Sequence, residues 1–300
     1  MGFQAKKANE VVDIETCQVL PKHISDVLPM VKLLLQTLSD GGVAVRFVEF
    51  FNSRALVVLN ICFIKKPSGY SLKQIETWFD KISGGVKQVW QVWFQYGREP
   101  STVLYPKDLP ELKYGLPEFS VEMPYQPGDF TQINADLNAV MISRALRLLD
   151  IQPNDRVADL FCGLGNFSLP MAKSGASVTG IEGLDSLVLR ARQNALRNSC
   201  VKYASFEVAD LFETDEQTVA SWGVFDKMLL DPPRSGAYAV VKSLHTPYLP
   251  KKIVYVSCNP STFARDAEVL VNKGYNFKSA GIMNMFAQTS HVESSGVFDL

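Results

Sequence analysis

Hydrophobic and polar positions follow two different rhythms along the chain, and the change of rhythm divides it into two parts. The first part contains five predicted elements in the order helix, strand, strand, helix, strand: residues 23–38, 43–51, 55–64, 71–82 and 87–96. A short polar loop, Asn52-Ser53-Arg54, separates the first two strands like a hairpin turn. This order predicts a small α+β domain in which helices cover one face of a sheet.

The second part alternates helices with short apolar strands. The predicted elements are helix 135–149, strand 156–161, helix 167–173, strand 177–181, helix 184–198 and strands 206–208, 227–230 and 253–257. Such alternation predicts an α/β fold, a Rossmann-like domain with a mostly parallel, doubly wound sheet. Residues 105–128 are rich in Pro and Gly, so the domain boundary is predicted at their end, which gives domains 1–128 and 129–300.

Composition narrows the class of protein. Hydrophobic residues make up 47% and charged residues 20% of 300 residues, as in an ordinary soluble globular protein, and no apolar run is long enough to span a membrane. The first residues lack the apolar core of a secretory signal. Five widely spaced cysteines without a CxxC pair favour a reducing cytoplasm over a disulfide framework. The net charge of −1 argues weakly against a self-sufficient nucleic-acid binder.

A glycine turn and two carboxylates follow the first three strands of the second part. Gly163 and Gly165 come directly after the first strand, Glu182 ends the second, and Asp210 follows the third. Glycines permit a tight turn and the close approach of a ligand to the backbone. A carboxylate at the end of the second strand can accept hydrogen bonds from both ribose hydroxyls of an adenosine, and Asp210 is placed to accept from its amino group.

Three interpretations of this turn are open. It is a structural turn only, since short glycine motifs occur often by chance. It is a dinucleotide site, although Ser168 stands where that fingerprint has its third glycine. It is an S-adenosylmethionine site, whose cationic sulfonium suits the nearby carboxylate of Asp159, whereas a pyrophosphate would be repelled. The ordered set of Asp159, the two glycines, Glu182 and Asp210 favours the third interpretation.

Two polar segments end the next two strands. Asp231-Pro232-Pro233-Arg234 forms a stiff extended turn that fixes the aspartate at the sheet edge. Cys258-Asn259-Pro260 follows the fifth strand, which indicates a cysteine at the catalytic edge, whereas most single cysteines are buried small hydrophobes. Glu293, near the C-terminus, is either a solvated surface carboxylate or a base that folds back over this edge.

These residues fit methylation of carbon 5 of a uracil. A Cys258 thiolate that adds to carbon 6 turns carbon 5 into a nucleophile toward an electrophilic methyl group. Glu293 would then remove the proton from carbon 5, while Asp231 or Arg234 would hold the uracil edge. Two other hypotheses remain: an amino-group methyltransferase on nucleic acid or protein, which would not need Cys258, and an RNA-binding remnant without activity.

The chain resembles the RNA (uracil-5-)-methyltransferase family, and within it the type that modifies 23S ribosomal RNA. The resemblance covers nearly the whole chain and rests on seven segments: PGDFTQIN (127–134), DLFCGLGNF (159–167), GIEG (180–183), LLDPPRSG (229–236), VSCNP (256–260), NMF (284–286) and HVES (291–294). It implies S-adenosylmethionine as cofactor, RNA as partner, Cys258 as nucleophile and Glu293 as base. It also implies six cofactor contacts: Gln132, Phe161, Asn166, Glu182, Asp210 and Asp231.

The chain departs from the family pattern in two respects. Members of this type carry a small N-terminal β-barrel, the TRAM domain, and hold a 4Fe–4S cluster through four cysteines. Only Cys17 matches one of those four cluster ligands, so the sequence is expected to be a fragment that holds no cluster. A cytoplasmic monomer without a membrane segment is expected. The target uridine is not fixed by the sequence.

Overall fold

The computed structural model describes residues 2–4, 10–83, 89–285 and 292–300. The chain divides into two compact units: Met1–Lys113 with Pro124–Gly128 form the first, and Tyr114–Met123 with Asp129–Leu300 form the second. The second unit therefore takes a short hairpin from the segment before residue 128. The expected roles of the two domains, positioning of RNA by residues 1–128 and catalysis by residues 129–300, stay predictions.

The first unit is built on a four-stranded sheet. Its elements are β1 (Gly2–Gln4), β2 (Val11–Asp13), α1 (Lys22–Ser25), α2 (Leu28–Asp40), β3 (Val45–Asn52), β4 (Val57–Phe63), α3 (Gly69–Ser83), β5 (Trp90–Tyr96) and β6 (Thr102–Tyr105). The sheet order is β3-β4-β5-β6, with β4 and β5 parallel and the other pairs antiparallel. Alternate residues of β4, among them Leu59 and Ile61, pack with Leu34 and Ile75 of the helices in one hydrophobic core. The expected arrangement, a small sheet with helices on one face, is present.

The single helix expected over residues 23–38 is two helices. The short helix α1 ends at Ser25, and α2 begins at Leu28 with Pro29 in its first turn. A proline has no N–H to donate and is tolerated in the first turn of a helix, whereas inside a helix it breaks the hydrogen-bond ladder. The apolar period continues across the break, which explains why periodicity alone does not reveal it. The predicted end of α3 at Gly84-Gly85 and the start of the next strand at residue 87 lie outside the described residues.

The second unit holds the larger sheet. Its elements are β7 (Lys113–Leu116), β8 (Val121–Pro124), α4 (Ala135–Leu149), β9 (Arg156–Leu160), α5 (Ser168–Lys173), β10 (Ser177–Glu182), α6 (Asp185–Arg197), β11 (Ala204–Val208), α7 (Glu216–Trp222), β12 (Lys227–Leu230), α8 (Tyr238–Ser243), β13 (Lys252–Ser257), α9 (Pro260–Asn272), β14 (Asn276–Met283) and β15 (Glu293–Asp299). The strands β7 and β8 pair with each other, and a short 3-10 turn at Pro117–Phe119 joins them.

The seven strands follow the order β11-β10-β9-β12-β13-β15-β14, with the first five parallel and β15 antiparallel to both of its neighbours. The α/β class and the mostly parallel sheet expected from the sequence are confirmed. The chain order reverses around β9, and ligands bind at the carboxyl ends of strands near such a switch point. Within the described ranges, no helix is long and apolar enough to cross a membrane.

Candidate active site

The turn after β9 has a backbone that few residues can adopt. Phe161, Gly163 and Gly165 all have positive φ, at 64°, 55° and 95°. A β-carbon at Gly165 would also lie 3.3 Å from the Cγ atom of Leu169, so this position favours glycine for space as well as conformation. Phe161 has a β-carbon and still lies in the left-handed region. Strained backbone of this kind occurs often at binding sites.

Glu182 ties this turn to the next strand. Its two carboxylate oxygens accept hydrogen bonds from the backbone N–H groups of Gly163 and Leu184, both at 3.1 Å. Each oxygen keeps a lone pair for a further donor. Glu182 is half-buried at the carboxyl end of β10, so its carboxylate is held rigidly at the ligand-binding edge.

Asp210 and Phe212 follow the next strand, β11. One Asp210 oxygen accepts from the backbone N–H of Phe212 at 2.9 Å, while the residue as a whole is exposed. The rings of Phe161 and Phe212 are 5.6 Å apart between centroids and tilted by 53°. Phe212 is half exposed, so the pair offers an apolar surface beside two carboxylates. Such a surface suits a planar base.

Asp159 lies beneath the turn and is completely buried. One of its oxygens accepts the hydroxyl hydrogen bond of Ser168, and the other has no hydrogen-bond partner in the described part of the chain. Burial raises the pKa of Asp159 to about 7, and the Ser168 hydrogen bond opposes that shift. From the sequence, Ser168 is recognisable only as the residue that replaces the third glycine of a dinucleotide fingerprint. The sequence feature that indicates the Asp159–Ser168 hydrogen bond is a polar residue nine positions after an aspartate within an apolar strand.

Gln132 and Asn166, two contacts implied by the resemblance, differ in their surroundings. Gln132 is half-buried, two residues before Asn134, the residue that caps α4. The Asn166 side chain exchanges two hydrogen bonds with Asn138, at 2.9 and 3.0 Å, and its oxygen also accepts from the Tyr114 hydroxyl at 2.8 Å. The Asn166 side chain is thus engaged within the protein, and its cofactor contact stays a prediction.

Cys258 and Glu293 meet at the same sheet edge. The β13–β15 register pairs Ser257 with Ser294, so Cys258 lies opposite Glu293 at the next position. The Ser294 hydroxyl donates to the Ser257 carbonyl at 3.0 Å and fixes this pairing. Glu293 is only 5% exposed, and burial raises its pKa. The pKa of the half-buried Cys258 thiol is raised by burial, then by the charges of Glu293 and Asp231.

Asp231 and Arg234 follow β12, between β9 and β13. Burial, followed by the charges of Glu293 and Asp159, raises the pKa of Asp231. The Arg234 carbonyl accepts from the Asn259 side-chain amide at 2.9 Å and from the Thr262 hydroxyl at 3.2 Å. Asn259 also caps α9. The residue after Cys258 therefore holds the Asp-Pro-Pro-Arg segment in place. Four carboxylates and one thiol converge on the edge formed by β9, β10, β12 and β13.

A buried network anchors the far end of that segment, and the sequence analysis missed it. The Tyr255 hydroxyl donates to Asp266 at 2.6 Å and accepts from the backbone N–H of Ala237 at 3.0 Å. Tyr255 and Asp266 are fully buried, and Arg265 pairs with the other Asp266 oxygen at 2.7 Å. The sequence feature that indicates this network is Asp266, an aspartate at a core-facing position of an amphipathic helix.

The residues around the glycine turn fit an adenosine-bearing cation. Glu182 offers fixed acceptors, the two phenylalanine rings offer an apolar face, and Asp159 has an oxygen without a partner in the described residues. Within the described ranges, no group of three or more His, Cys, Asp or Glu side chains is placed to hold a metal ion, and the expectation that the chain holds no cluster stays a prediction. Cys17 is half-buried, and its backbone N–H donates to the Ser25 hydroxyl at 2.9 Å. In the segments NMF and HVES, Phe286 and His291 lie outside the described residues.

Comparison with known proteins identifies relatives along the whole chain. The model of the tRNA (uracil-5-)-methyltransferase family matches residues 118–299. The 23S rRNA (uracil(1939)-C(5))-methyltransferase RlmD of Neisseria lactamica is 60% identical over 100% of this chain and 66% of its own length. The protein of the same name from Chromobacterium violaceum is 45% identical over 100% of this chain and 58% of its own. The chain thus spans less than two thirds of the length of either relative.

A solved structure shares the fold across both units. The Pyrococcus abyssi tRNA (uracil-54, C5)-methyltransferase in complex with S-adenosyl-L-homocysteine matches with a TM-score of 0.73. The match covers 98% of this chain and 71% of the other at 23% sequence identity.

Proposed function

The chain belongs to the tRNA (uracil-5-)-methyltransferase family, and from this membership we propose that it transfers a methyl group from S-adenosylmethionine to carbon 5 of a uridine in RNA. The observation that carries the proposal is the position of Cys258 opposite Glu293, on the sheet edge that also holds the glycine turn and Glu182. This reaction requires a nucleophile and a base at one edge, whereas methylation of an amino group needs no cysteine.

The proposed chemistry begins when the Cys258 thiol loses its proton to solvent, and the thiolate then forms a bond to carbon 6 of the uracil and moves an electron pair toward the carbonyl oxygen at carbon 4. Carbon 5 then becomes the nucleophile. S-adenosylmethionine, when bound, supplies the electrophilic methyl group. The Glu293 carboxylate takes the proton from carbon 5, the bond between carbon 6 and sulfur breaks, and the thiolate is restored. Glu293 returns the proton to solvent.

The raised pKa of Glu293 suits a base in this step. A carboxylate with a raised pKa is a stronger base toward a proton on carbon, and burial raises the pKa of Glu293. The raised pKa of Cys258 keeps the thiol protonated in the free protein. Arg234 opposes that shift, so positive charge near the thiol favours the reactive thiolate.

The cofactor would be held on the other side of Asp231. Glu182 would accept from the ribose hydroxyls, Asp210 from the adenine amino group, and Phe161 would line the base. Gln132, Asn166 and Asp231 complete the implied set. Asp231 follows the strand between the cofactor turn and Cys258, so its carboxylate can contact either ligand.

We assign the substrate to 23S ribosomal RNA in the cytoplasm. The support is the name of the two relatives, which are 60% and 45% identical over the whole chain. Five cysteines that form no disulfide agree with a reducing compartment. A uridine within folded RNA must leave its base stack to reach a thiol at a sheet edge, as in other enzymes that act on a base.

The experiment that tests the proposal traps the covalent intermediate. An RNA fragment that spans the uridine equivalent to uracil 1939 of the relatives, with 5-fluorouridine at that position, is mixed with the protein and S-adenosylmethionine. Fluorine cannot leave as a cation, so the adduct should accumulate. Denaturing mass spectrometry should detect protein plus RNA plus one methyl group, joined at Cys258.

Two variants control this experiment. Cys258→Ala should form no adduct and still bind S-adenosylmethionine, because the cofactor residues follow other strands. Cys200→Ala removes a buried cysteine outside the edge and should form the adduct normally. Transfer of a methyl group to unmodified RNA by Cys258→Ala would point to amino-group methylation instead and would rule out the covalent route.

A further inference from the structure

A pocket opens beside Glu293, outside the proposed cofactor site. It lies between α4 and the strands β13, β15 and β14. Its lining residues are Met141, Arg144, Ala145, Leu148, Val256, Ile282, Met283, Glu293, Ser294 and Ser295. Glu293 forms one wall, so whatever enters this pocket touches the proposed base.

Arg144 is the cation in this pocket. It is exposed on α4 and forms no hydrogen bond or ion pair within the described ranges, although several other arginines of the same unit are bonded to carboxylates or carbonyls. The cause of the raised pKa of Glu293 is burial alone, so Arg144 does not act as its counter-ion. Its guanidinium is therefore available to an anion.

Gly281 explains how Arg144 approaches the sheet. A β-carbon at Gly281 would lie 3.2 Å from the Arg144 Nη2 atom and 3.4 Å from the Ser295 hydroxyl oxygen. The guanidinium and the hydroxyl thus converge over one residue that has no side chain. A guanidinium fork and a hydroxyl are the donors that bind phosphate oxygens in nucleic-acid complexes.

The remaining walls are apolar. Val256, Met283 and Met141 surround the polar pair, and Ile282 at the rim is 83% exposed. An exposed apolar side chain beside an arginine and a hydroxyl matches the mixed surface of a nucleotide, which has an apolar base and an anionic phosphate. Inorganic anions would use only the arginine and serine.

We propose that Arg144 and Ser295 bind one backbone phosphate of the RNA next to the target uridine, so that this nucleotide is held while its neighbour enters the Cys258–Glu293 edge. The proposal rests on the proposed function, since it needs an RNA at that edge. A phosphate contact fixes the position of the nucleic acid and carries no sequence information. Arg144 would then be a positioning residue, whose contribution is to RNA binding and to the orientation of the target.

The test removes one charge from the protein and one from the RNA. Methylphosphonate linkages, which are neutral, replace single phosphates on either side of the target uridine in the RNA fragment. Affinities for wild type and Arg144→Ala are measured by fluorescence anisotropy at several salt concentrations. Arg144→Ala should weaken binding of the unmodified RNA about 10-fold, and the salt slope should fall by about 0.7 to 0.9, the loss of one phosphate contact.

The double-mutant cycle locates the contact. At one linkage the methylphosphonate should weaken wild type about 10-fold and leave Arg144→Ala unchanged, while at the others the two effects should be additive. Gly281→Ala keeps the positive charge of Arg144 and displaces its guanidinium. The RNA affinity of this variant should lie between the affinities of wild type and Arg144→Ala. Lys251→Ala removes an exposed cation before the amino end of β13 and should leave binding at the wild-type level.

Two results would overturn the proposal: an unchanged salt slope in Arg144→Ala, or additivity at every linkage. Thermal unfolding of each variant separates these results from misfolding, and Arg144→Lys, which retains the charge, should recover part of the affinity. Failure of the proposed function is detected separately, by the absence of 5-methyluridine in wild-type reactions. Arg144-dependent binding without methylation would keep the phosphate site and reject the proposed reaction.

Discussion

Glu293 begins β15 and Cys258 directly follows β13, each one position beyond the Ser257–Ser294 pair, and the charge of Glu293 raises the pKa of the Cys258 thiol. The base and the nucleophile must both be anionic to react. In the free protein, the negative charge of Glu293 therefore makes ionisation of the Cys258 thiol less favourable. Burial acts in the same direction on both groups. The thiolate is thereby disfavoured until positive charge or substrate arrives, which protects the cysteine from side reactions.

The first prediction concerns the variant Glu293→Gln. Removal of the carboxylate charge should lower the pKa of Cys258, so the thiolate fraction at pH 8 rises and alkylation by iodoacetamide becomes several-fold faster. Methylation should nevertheless be lost, and the covalent RNA adduct should persist, because no base removes the proton from carbon 5. Intact-mass spectrometry over a series of pH values measures both effects. An alkylation rate equal to that of wild type would contradict the electrostatic coupling.

The second prediction is a pH dependence of stability caused by Asp159. Its pKa of about 7 in the folded protein exceeds the 3.8 that is usual for an exposed aspartate, so the unfolded chain loses this proton first as the pH rises. The stabilisation is present at pH 4 and is lost progressively up to about pH 7. The loss is on the order of 2 to 4 kcal/mol. The free energy of unfolding of Asp159→Asn should lack this pH dependence. Measured in urea, the difference in unfolding free energy between this variant and wild type should therefore change progressively from pH 4 to pH 7.

Ser168→Ala provides the matched control for Asp159. The Ser168 hydroxyl lowers the pKa of Asp159, so its removal should extend the pH window of the stability loss upward. Asp159→Asn and Ser168→Ala should thus change the same profile in opposite directions. A profile of Asp159→Asn that parallels wild type would show that another group is responsible.

The sequence predicts local features of this fold well and long-range pairings poorly. The bounds of α4 are as predicted, because the Asn134 side chain caps the helix and Asp150 ends it in the left-handed conformation. β12 also has the predicted bounds, since a buried parallel strand is a short apolar run between polar turns. Both signals lie within a few residues of the element that they define.

The position of Glu293 has no such local signal. It depends on the insertion of β15 between β13 and β14 in antiparallel orientation, and the β13–β15 register is set by contacts between residues more than 30 positions apart, such as Ser257 and Ser294. From the sequence alone, Glu293 is therefore either a surface carboxylate or a base. Arg144 illustrates the same limit, because a single arginine on the polar face of an amphipathic helix gives no indication of a pocket.

The third prediction separates the two roles of Glu182. Glu182→Ala removes the acceptors for the N–H groups of Gly163 and Leu184 together with the proposed ribose contact, so S-adenosylmethionine affinity should fall at least 10-fold. Glu182→Gln keeps one acceptor oxygen, so its affinity for S-adenosylmethionine should fall less. Isothermal titration calorimetry measures both, and Glu207→Ala, an exposed residue on the next strand, should bind like wild type. If Glu182→Ala binds S-adenosylmethionine with the affinity of wild type, Glu182 does not contact the cofactor.

The fourth prediction concerns the network that anchors the Asp231–Ala237 segment. Tyr255→Phe removes the hydroxyl that bonds Asp266 and Ala237 in the buried interior, and unfolding in urea should show a loss of about 1 to 3 kcal/mol. The segment that carries Asp231 and Arg234 should then be held less firmly. Methylation should consequently show a raised KM for RNA together with a reduced kcat.

Tyr275→Phe is the control that isolates the segment from general stability. The Tyr275 hydroxyl is also buried and donates to the Pro250 carbonyl at 2.7 Å, before the amino end of β13 and away from the catalytic edge. Its loss should destabilise the protein to a similar extent and leave methylation unchanged, because no residue of the edge depends on it. If both variants lose activity in proportion to their stability, the Tyr255 network has no specific role in holding the segment. If only Tyr255→Phe changes KM and kcat, the network acts on the site through Ala237, since that backbone N–H is the group which Tyr255 and Asp266 share.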